Sequence, residues 1–276
     1  MKKVIWLTSY PKSGNTWFRI ILNNLINKTD ADINNLQPTY FSSSRSYLNK
    51  FYGIDTKLLS NDEINFLKPE YNDYLAKTTK EILFRKNHDA YIYLPDNRPI
   101  LGNPEYYKAI YIIRNPLSVA PSLANHFNWS IDRAIEVMCT DNYCLPSSEN
   151  YKHLTSQNFF SWSQNVNSWT NEKNNFELFV IKYEDLHIKS FDILKDAFIF
   201  SGLKFLDSDL ESAIENSSFD RVSSIEKEFG FKDKLSDTKS FFRKGKIDSW
   251  KDELNDKQIN KIISKHKKVM IKFNYL

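Results

Sequence analysis

The sequence predicts an α/β fold: a single domain with a central, mostly parallel sheet flanked by helices. Three observations carry that reading. Short apolar runs of strand length alternate with stretches of helical periodicity along the 276 residues. No internal repeat or low-complexity linker divides the chain, so residues 1–276 read as one domain. The first apolar run passes directly into a Gly-containing loop and a helix, which is how strands feed ligand sites at the carboxyl edge of such sheets.

The first element is the run Val4-Ile5-Trp6-Leu7-Thr8, read as a buried strand that ends in the turn Ser9 to Gly14. Phe18, Ile21, Leu22 and Leu25 then recur at helical spacing. Ile82–Phe84, Ala109–Ile113 and Leu178–Ile181 are the further predicted strands. Phe159, Trp162, Val166 and Trp169 fall on one helical face, and Phe191, Leu194 and Phe198 on another, which Gly202 is placed to stop. The last helix carries the stripe Ile259, Ile262, Ile263, Val269, Met270 and Phe273, with Asn255 and Gln258 as its N-terminal cap.

Composition narrows the function classes. Hydrophobic residues make up 41% and charged residues 26%, which supports a folded core rather than disorder. A net charge of +4 suits a local pocket for a small polyanion and falls short of a nucleic-acid binder. Two cysteines, Cys139 and Cys144, make neither a disulfide framework nor a good metal site, and point to a reducing compartment. The apolar run after Met1-Lys2-Lys3 is too short for a signal-peptide core, and no stretch approaches the roughly 18 apolar residues of a membrane span. The expectation is a soluble, cytoplasmic protein without a metal.

The chemistry concentrates in a few segments. Tyr10-Pro11-Lys12-Ser13-Gly14-Asn15-Thr16-Trp17 joins a strand to a helix start, where backbone N–H groups and the helix dipole favour an anion. Lys12 adds a charge, and Ser13, Asn15 and Thr16 add side-chain donors. Lys precedes Gly and no earlier Gly exists, so the ATP-type pattern G-x-x-x-x-G-K-[ST] is not met. The run Ala109–Ile113 leads into Arg114-Asn115-Pro116, whose guanidinium is a candidate phosphate clamp, with Ser122 following on the next helix. Phe241-Phe242-Arg243-Lys244-Gly245 offers two cations and a flexible backbone; a solvated basic turn is the plainer alternative.

Together these segments resemble the signatures of the PAPS-dependent sulfotransferases, whose donor is 3'-phosphoadenosine 5'-phosphosulfate (PAPS). Y-P-K-S-G-N-T-W is similar to the family's P-loop-like 5'-phosphosulfate loop, with Asn15 where Thr is common. R-N-P followed by Ser122 resembles the element that holds the 3'-phosphate, and Arg243-Lys244-Gly245 with Trp250-Lys251 resembles the R-K-G stretch. Asp248 and Ser249 depart from that last pattern. The resemblance implies PAPS as sulfuryl donor and PAP as product. It implies donor binding by Lys12, Ser13, Gly14, Asn15, Thr16, Trp17, Arg114, Ser122, Arg243, Lys244 and Gly245. Trp17, Tyr183 and Phe219 would surround the adenine, although core packing also explains such aromatics.

Lys86-Asn87-His88 follows a strand run and resembles the family's catalytic Lys-x-His element. It implies His88 as general base, with Lys12 and Lys86 stabilising the departing charge. His126 is the second candidate for the base; His266 reads as packing, while His153 and His187 follow no recognisable site element. The implied partner is a hydroxyl-bearing small molecule or sugar. Its pocket is expected from the aromatic-rich residues 38–75 and from residues 128–156 and 220–240. An ATP-dependent small-molecule kinase and a non-catalytic PAP-binding protein are the competing readings. The order of Lys and Gly opposes the first, and intact Lys12 and His88 oppose the second. Oligomeric state stays open.

Overall fold

Parallel pairing organises the chain. The computed structural model describes residues 2–28, 32–36, 39–146, 153–234 and 240–276. Five strands form one sheet: β1 Val4–Ser9, β2 Thr39–Phe41, β3 Leu83–Asn87, β4 Tyr107–Ile113 and β5 Glu177–Lys182. Their order is β2-β3-β1-β4-β5, and every neighbouring pair is parallel. The central strand β1 is buried along its whole length, as a continuous apolar run requires.

The two faces follow from a period of two. Val4 and Trp6 of β1 join Tyr107, Ala109, Tyr111 and Ile113 of β4 in one core, while Ile5 and Leu7 join Ile110 and Ile112 in the other. The first core is closed by α4 Pro116–Phe127, α5 Ile131–Cys139, α6 Trp162–Trp169 and α11 Asp256–Lys272. The second is closed by α1 Asn15–Asn27, α8 Ser190–Ser201 and α9 Asp207–Asn216. Each large aliphatic or aromatic side chain buried this way contributes about 1.5–3 kcal/mol. Two further helices, α2 Arg45–Tyr52 and α3 Asn61–Thr78, cap the β2 side.

The predicted helix ends are where the chemistry placed them. Gly202 takes a φ of 84° after α8, and Asn255 with Gln258 forms a capping box on α11. Three elements differ from expectation. The strand read as Ile82–Phe84 runs on to Asn87, because Arg85, Lys86 and Asn87 pair with Trp6, Leu7 and Thr8 of β1. Phe159 lies outside α6: Ser161 caps that helix through a capping box with Gln164. The short edge strand β2 went unpredicted, since three residues show no period. All five strands end at one edge, at Ser9, Phe41, Asn87, Ile113 and Lys182, and the sequence-predicted site residues gather there.

Candidate active site

A cavity of about 750 Å³ opens at this carboxyl edge. Its floor is the turn between β1 and α1. Lys12 adopts a φ of 67°, a left-handed conformation that is unfavourable for a Lys side chain. Gly14, the N-cap of α1, has a φ of 104°. A Cβ there would lie 2.5 Å from Cδ2 of Tyr183, so only glycine lets the loop and that ring approach. No side chain caps α1 and no acidic residue sits in its first turn, which leaves its N-terminal dipole facing the cavity uncompensated.

The loop side chains divide. Lys12, Thr16 and Trp17 line the cavity. Asn15 borders it, but its amide donates to the Leu7 carbonyl at 3.1 Å in the buried interior. The Ser13 hydroxyl is fully buried without a hydrogen-bond partner. In this structure the Asn15 amide is thus engaged by β1, and the Ser13 hydroxyl lies behind the loop rather than on the cavity wall.

His88 stands just past the end of β3. Its Nδ1 lies 2.9 Å from the Ser9 carbonyl, which can only accept, so Nδ1 carries the proton and Nε2 keeps its lone pair. Burial first, and then Lys86, push the His88 pKa down to about 3, so the ring is neutral at neutral pH. Phe41 and Phe159 meet it edge-on, each at 6.4 Å between centroids. Burial, then Arg114 and Lys86, push Lys12 down to about 7. Lys86 is pushed to about 7 as well, mainly by burial. The Lys12 ammonium sits 3.6 Å above the Phe241 ring, and that of Lys86 sits 4.2 Å from the Phe41 ring.

Beyond the loop, Arg114 donates to the Lys12 carbonyl at 3.0 Å and stacks on the Tyr183 ring at 4.2 Å. Ser122 on α4 shares the cavity wall. Trp17 and Tyr183 meet edge-to-face at 6.1 Å, and the Trp17 indole is fixed by the Ser217 carbonyl at 2.9 Å. Phe219 opens α10 Phe219–Phe229 and lies against Gly245, where φ is 60° and any Cβ would overlap the ring. Arg243, Lys244 and Gly245 line the same wall. Here Arg243 makes two bonds to Glu253, at 2.6 and 3.0 Å, and Lys244 pairs with the same carboxylate at 3.1 Å, so both cations already share one carboxylate.

This basic arm is tied down from two helices. Ser118 on α4 donates to the Ile247 carbonyl at 2.7 Å, and Asn125 to that of Ser240 at 3.0 Å. Glu226 on α10 accepts from the Phe241 and Phe242 N–H groups at 2.6 and 2.9 Å.

Some lining residues had no signal in the sequence. His153 and His187 both line the cavity, and His187 packs 5.0 Å from Trp17. Asp233 does too, and no residue pattern marked it. His126 also lines the wall, edge-on to Phe241 at 5.8 Å, and burial holds its pKa well below the usual value. His266 is buried elsewhere, 2.7 Å from the Ser163 hydroxyl, consistent with packing. Of the segments expected to wall the acceptor, Phe41, Tyr47, Leu145 and Leu154 are among the residues that reach the cavity, and Gln157, just past them, does too. Residues 38, 147–152 and 235–239 lie outside the described residues. Among the described residues, no cluster of His, Cys, Asp or Glu could hold a metal ion, and no helix is long and apolar enough to cross a membrane.

The sulfotransferase domain family matches residues 2–274 of this chain. The chain belongs to the sulfotransferase family. This sulfotransferase is 25% identical over 273 residues to a flavonol 3-sulfotransferase of Flaveria bidentis, covering 94% of the present chain and 78% of the relative. In fold it is similar to mouse sulfotransferase SULT7A1, solved with PAP, at a TM-score of 0.61 and 20% identity, covering 98% and 84% of the two chains. Retinol dehydratase, solved with retinol and PAP, gives a TM-score of 0.62 at 15% identity, covering 98% and 81%.

Proposed function

We propose that this sulfotransferase transfers the sulfuryl group of PAPS to a hydroxyl of a small metabolite or sugar, with His88 as the general base. The observation that carries the reading is the bond from His88 Nδ1 to the Ser9 carbonyl. It holds Nε2 unprotonated in a cavity that also presents Lys12 and Lys86. The fit of the donor rests on the uncapped α1 terminus, the Gly14 approach to Tyr183, and Arg114 beside Ser122. PAP in two solved proteins of the same fold supports the choice of nucleotide.

PAPS supplies the sulfuryl group and departs as PAP. His88 Nε2 takes the acceptor's hydroxyl proton as the acceptor oxygen bonds to sulfur and the bond from sulfur to the phosphate oxygen breaks. Lys12, the α1 terminus and Lys86 stabilise the negative charge that shifts to the leaving phosphate. Negative charge bound beside Lys12 and Lys86 also offsets their repulsion of imidazolium, raising the basicity of His88 when it is needed. Trp17, Tyr183 and Phe219 hold the adenine, and Arg114 with Ser122 holds the 3'-phosphate. The acceptor occupies the lobe beyond His88, between Phe41 and Phe159, with Tyr47, Leu154 and Gln157 around it.

The test is transfer of sulfur label from PAPS to a panel of alcohols, phenols and sugars. The expected result is label on at least one hydroxyl class with the wild-type protein, and loss of transfer in His88→Ala with PAP binding retained. Equal transfer by His88→Ala would remove His88 as the base.

A further inference from the structure

Among the described residues that line the cavity, Asp233 is the one carboxylate, set among several Lys, Arg and His side chains. It is carried on the turn after α10, closed by the Lys234 N–H on the Phe231 carbonyl at 3.0 Å. Its Oδ2 lies 3.2 Å from Nη1 of Arg19 on α1 and 3.7 Å from Nζ of Lys86 on β3. Three segments far apart in sequence thus meet at one oxygen. Arg19 is 8% exposed and Lys86 7%, so both cations are largely withdrawn from water.

A withdrawn ammonium loses its hydration, and without a counter-charge it gives up its proton. Among the described residues, the other charged or titratable groups acting with Lys86 are cationic or can become so: Arg19 and Lys12 from the α1 side, His88 from the end of β3, and His126 from α4. Among the described residues Asp233 is the carboxylate that opposes them at Lys86, while Glu226 also acts on Lys12. Burial works against its ionised form, yet Lys86 and Arg19 hold its carboxyl below the usual carboxylate range, so the anion is present at neutral pH.

We propose that Asp233, gripped by Arg19, is a positioning residue that keeps Lys86 a cation and fixes its ammonium at the reacting end of the cavity. Asp233 does not touch the reacting atoms; it acts through Lys86. The importance of this for catalysis rests on the sulfuryl-transfer reading above, in which Lys86 stabilises the transferring group. The ion triad itself can be tested without that reading.

The direct test labels amines of the ligand-free protein with acetic anhydride across pH 5–10. Mass spectrometry follows Lys86, with exposed Lys57 as the internal standard. In Asp233→Asn the Lys86 inflection should move to lower pH, and labelling at about pH 5, well below the inflection, should rise about tenfold, the change given by one unit of pKa. Asp233→Glu keeps the charge and should label as wild type does. The side chain is 39% exposed on a turn, so the variants should fold, and thermal unfolding checks that they do. Asp233→Ser should behave as Asp233→Asn. An unchanged Lys86 inflection in folded Asp233→Asn and Asp233→Ser would overturn the proposal.

Turnover gives the second arm. In Asp233→Asn the alkaline limb of kcat should move down in pH together with the labelling inflection, with acceptor KM nearly unchanged. A rise in acceptor KM with an unmoved kcat profile would make Asp233 an acceptor contact and overturn its role towards Lys86. If wild type transfers no sulfuryl group, the functional reading fails, while the labelling still decides what Asp233 does to Lys86.

Discussion

His88 is the residue on which the chemistry turns. The Ser9 carbonyl selects its tautomer, and burial keeps it neutral. Removing a positioned base costs about 10²–10⁴-fold in rate. His88→Ala should lose turnover in that range while binding PAP as well as wild type, as calorimetry would show. Lys12 and Lys86 carry a pH signature. Burial is the main cause that brings both from the ordinary lysine range to about 7, so in the ligand-free protein each loses its proton as pH rises through that value. Anions bind the ammonium forms. PAP affinity should therefore be steady below pH 7 and fall above it, by up to about tenfold per pH unit for each lysine, with proton uptake on binding. Calorimetry in two buffers of different ionisation enthalpy measures that uptake; none between pH 7 and 9 would mean the lysines are already charged. Lys12, His88 and Arg114 were legible in sequence because each lies within a few residues of a strand end. Asp233 and His153 were not, because their place in the wall comes from distant segments folding over the sheet edge; His187 follows closely on β5 but belongs to no recognisable site element. The inward turn of the Ser13 and Asn15 side chains was not legible either, because it comes from the tightness of the loop.

At the level of elements, the β1–α1 turn and the basic arm must each keep an awkward geometry. Gly14→Ala meets both an unfavourable φ and the Tyr183 ring. It should destabilise the protein by about 1–3 kcal/mol and weaken PAP binding. Gly53→Ala, at a φ of 68° but with open space around it, should lose less, and chemical denaturation compares the two. The arm depends on Glu226, which pairs with two backbone N–H groups and the Ser240 hydroxyl. Glu226→Ala leaves those donors without their partner, at about 1–3 kcal/mol for each one that stays buried. Limited proteolysis should then cut residues 240–247 faster than in wild type, and PAP should protect less. The strand and helix periods made most of these elements legible. The length of β3 was not, because Arg85, Lys86 and Asn87 are polar and become strand only by pairing with β1.

Across the whole molecule, one parallel sheet brings the ends of β1, β3, β4 and β5 to one edge, and a cavity of about 750 Å³ forms there. The alternation of strands and helices foretold that edge. The far lobe was less legible, since aromatic residues that pack a helical cap and those that wall an acceptor look alike in sequence. Phe51, Tyr52 and Tyr71 turned out to pack with one another under α2 and α3, while Phe41 and Tyr47 reach the cavity. The central claim is a pocket made for a nucleotide with a 3'-phosphate. Thermal unfolding with PAP, ATP and ADP in parallel tests it most directly, since a ligand that binds only the folded state raises Tm by mass action. The account predicts a shift with PAP well above those with ATP and ADP, reduced in Arg114→Ala. A shift with ATP and none with PAP would contradict it.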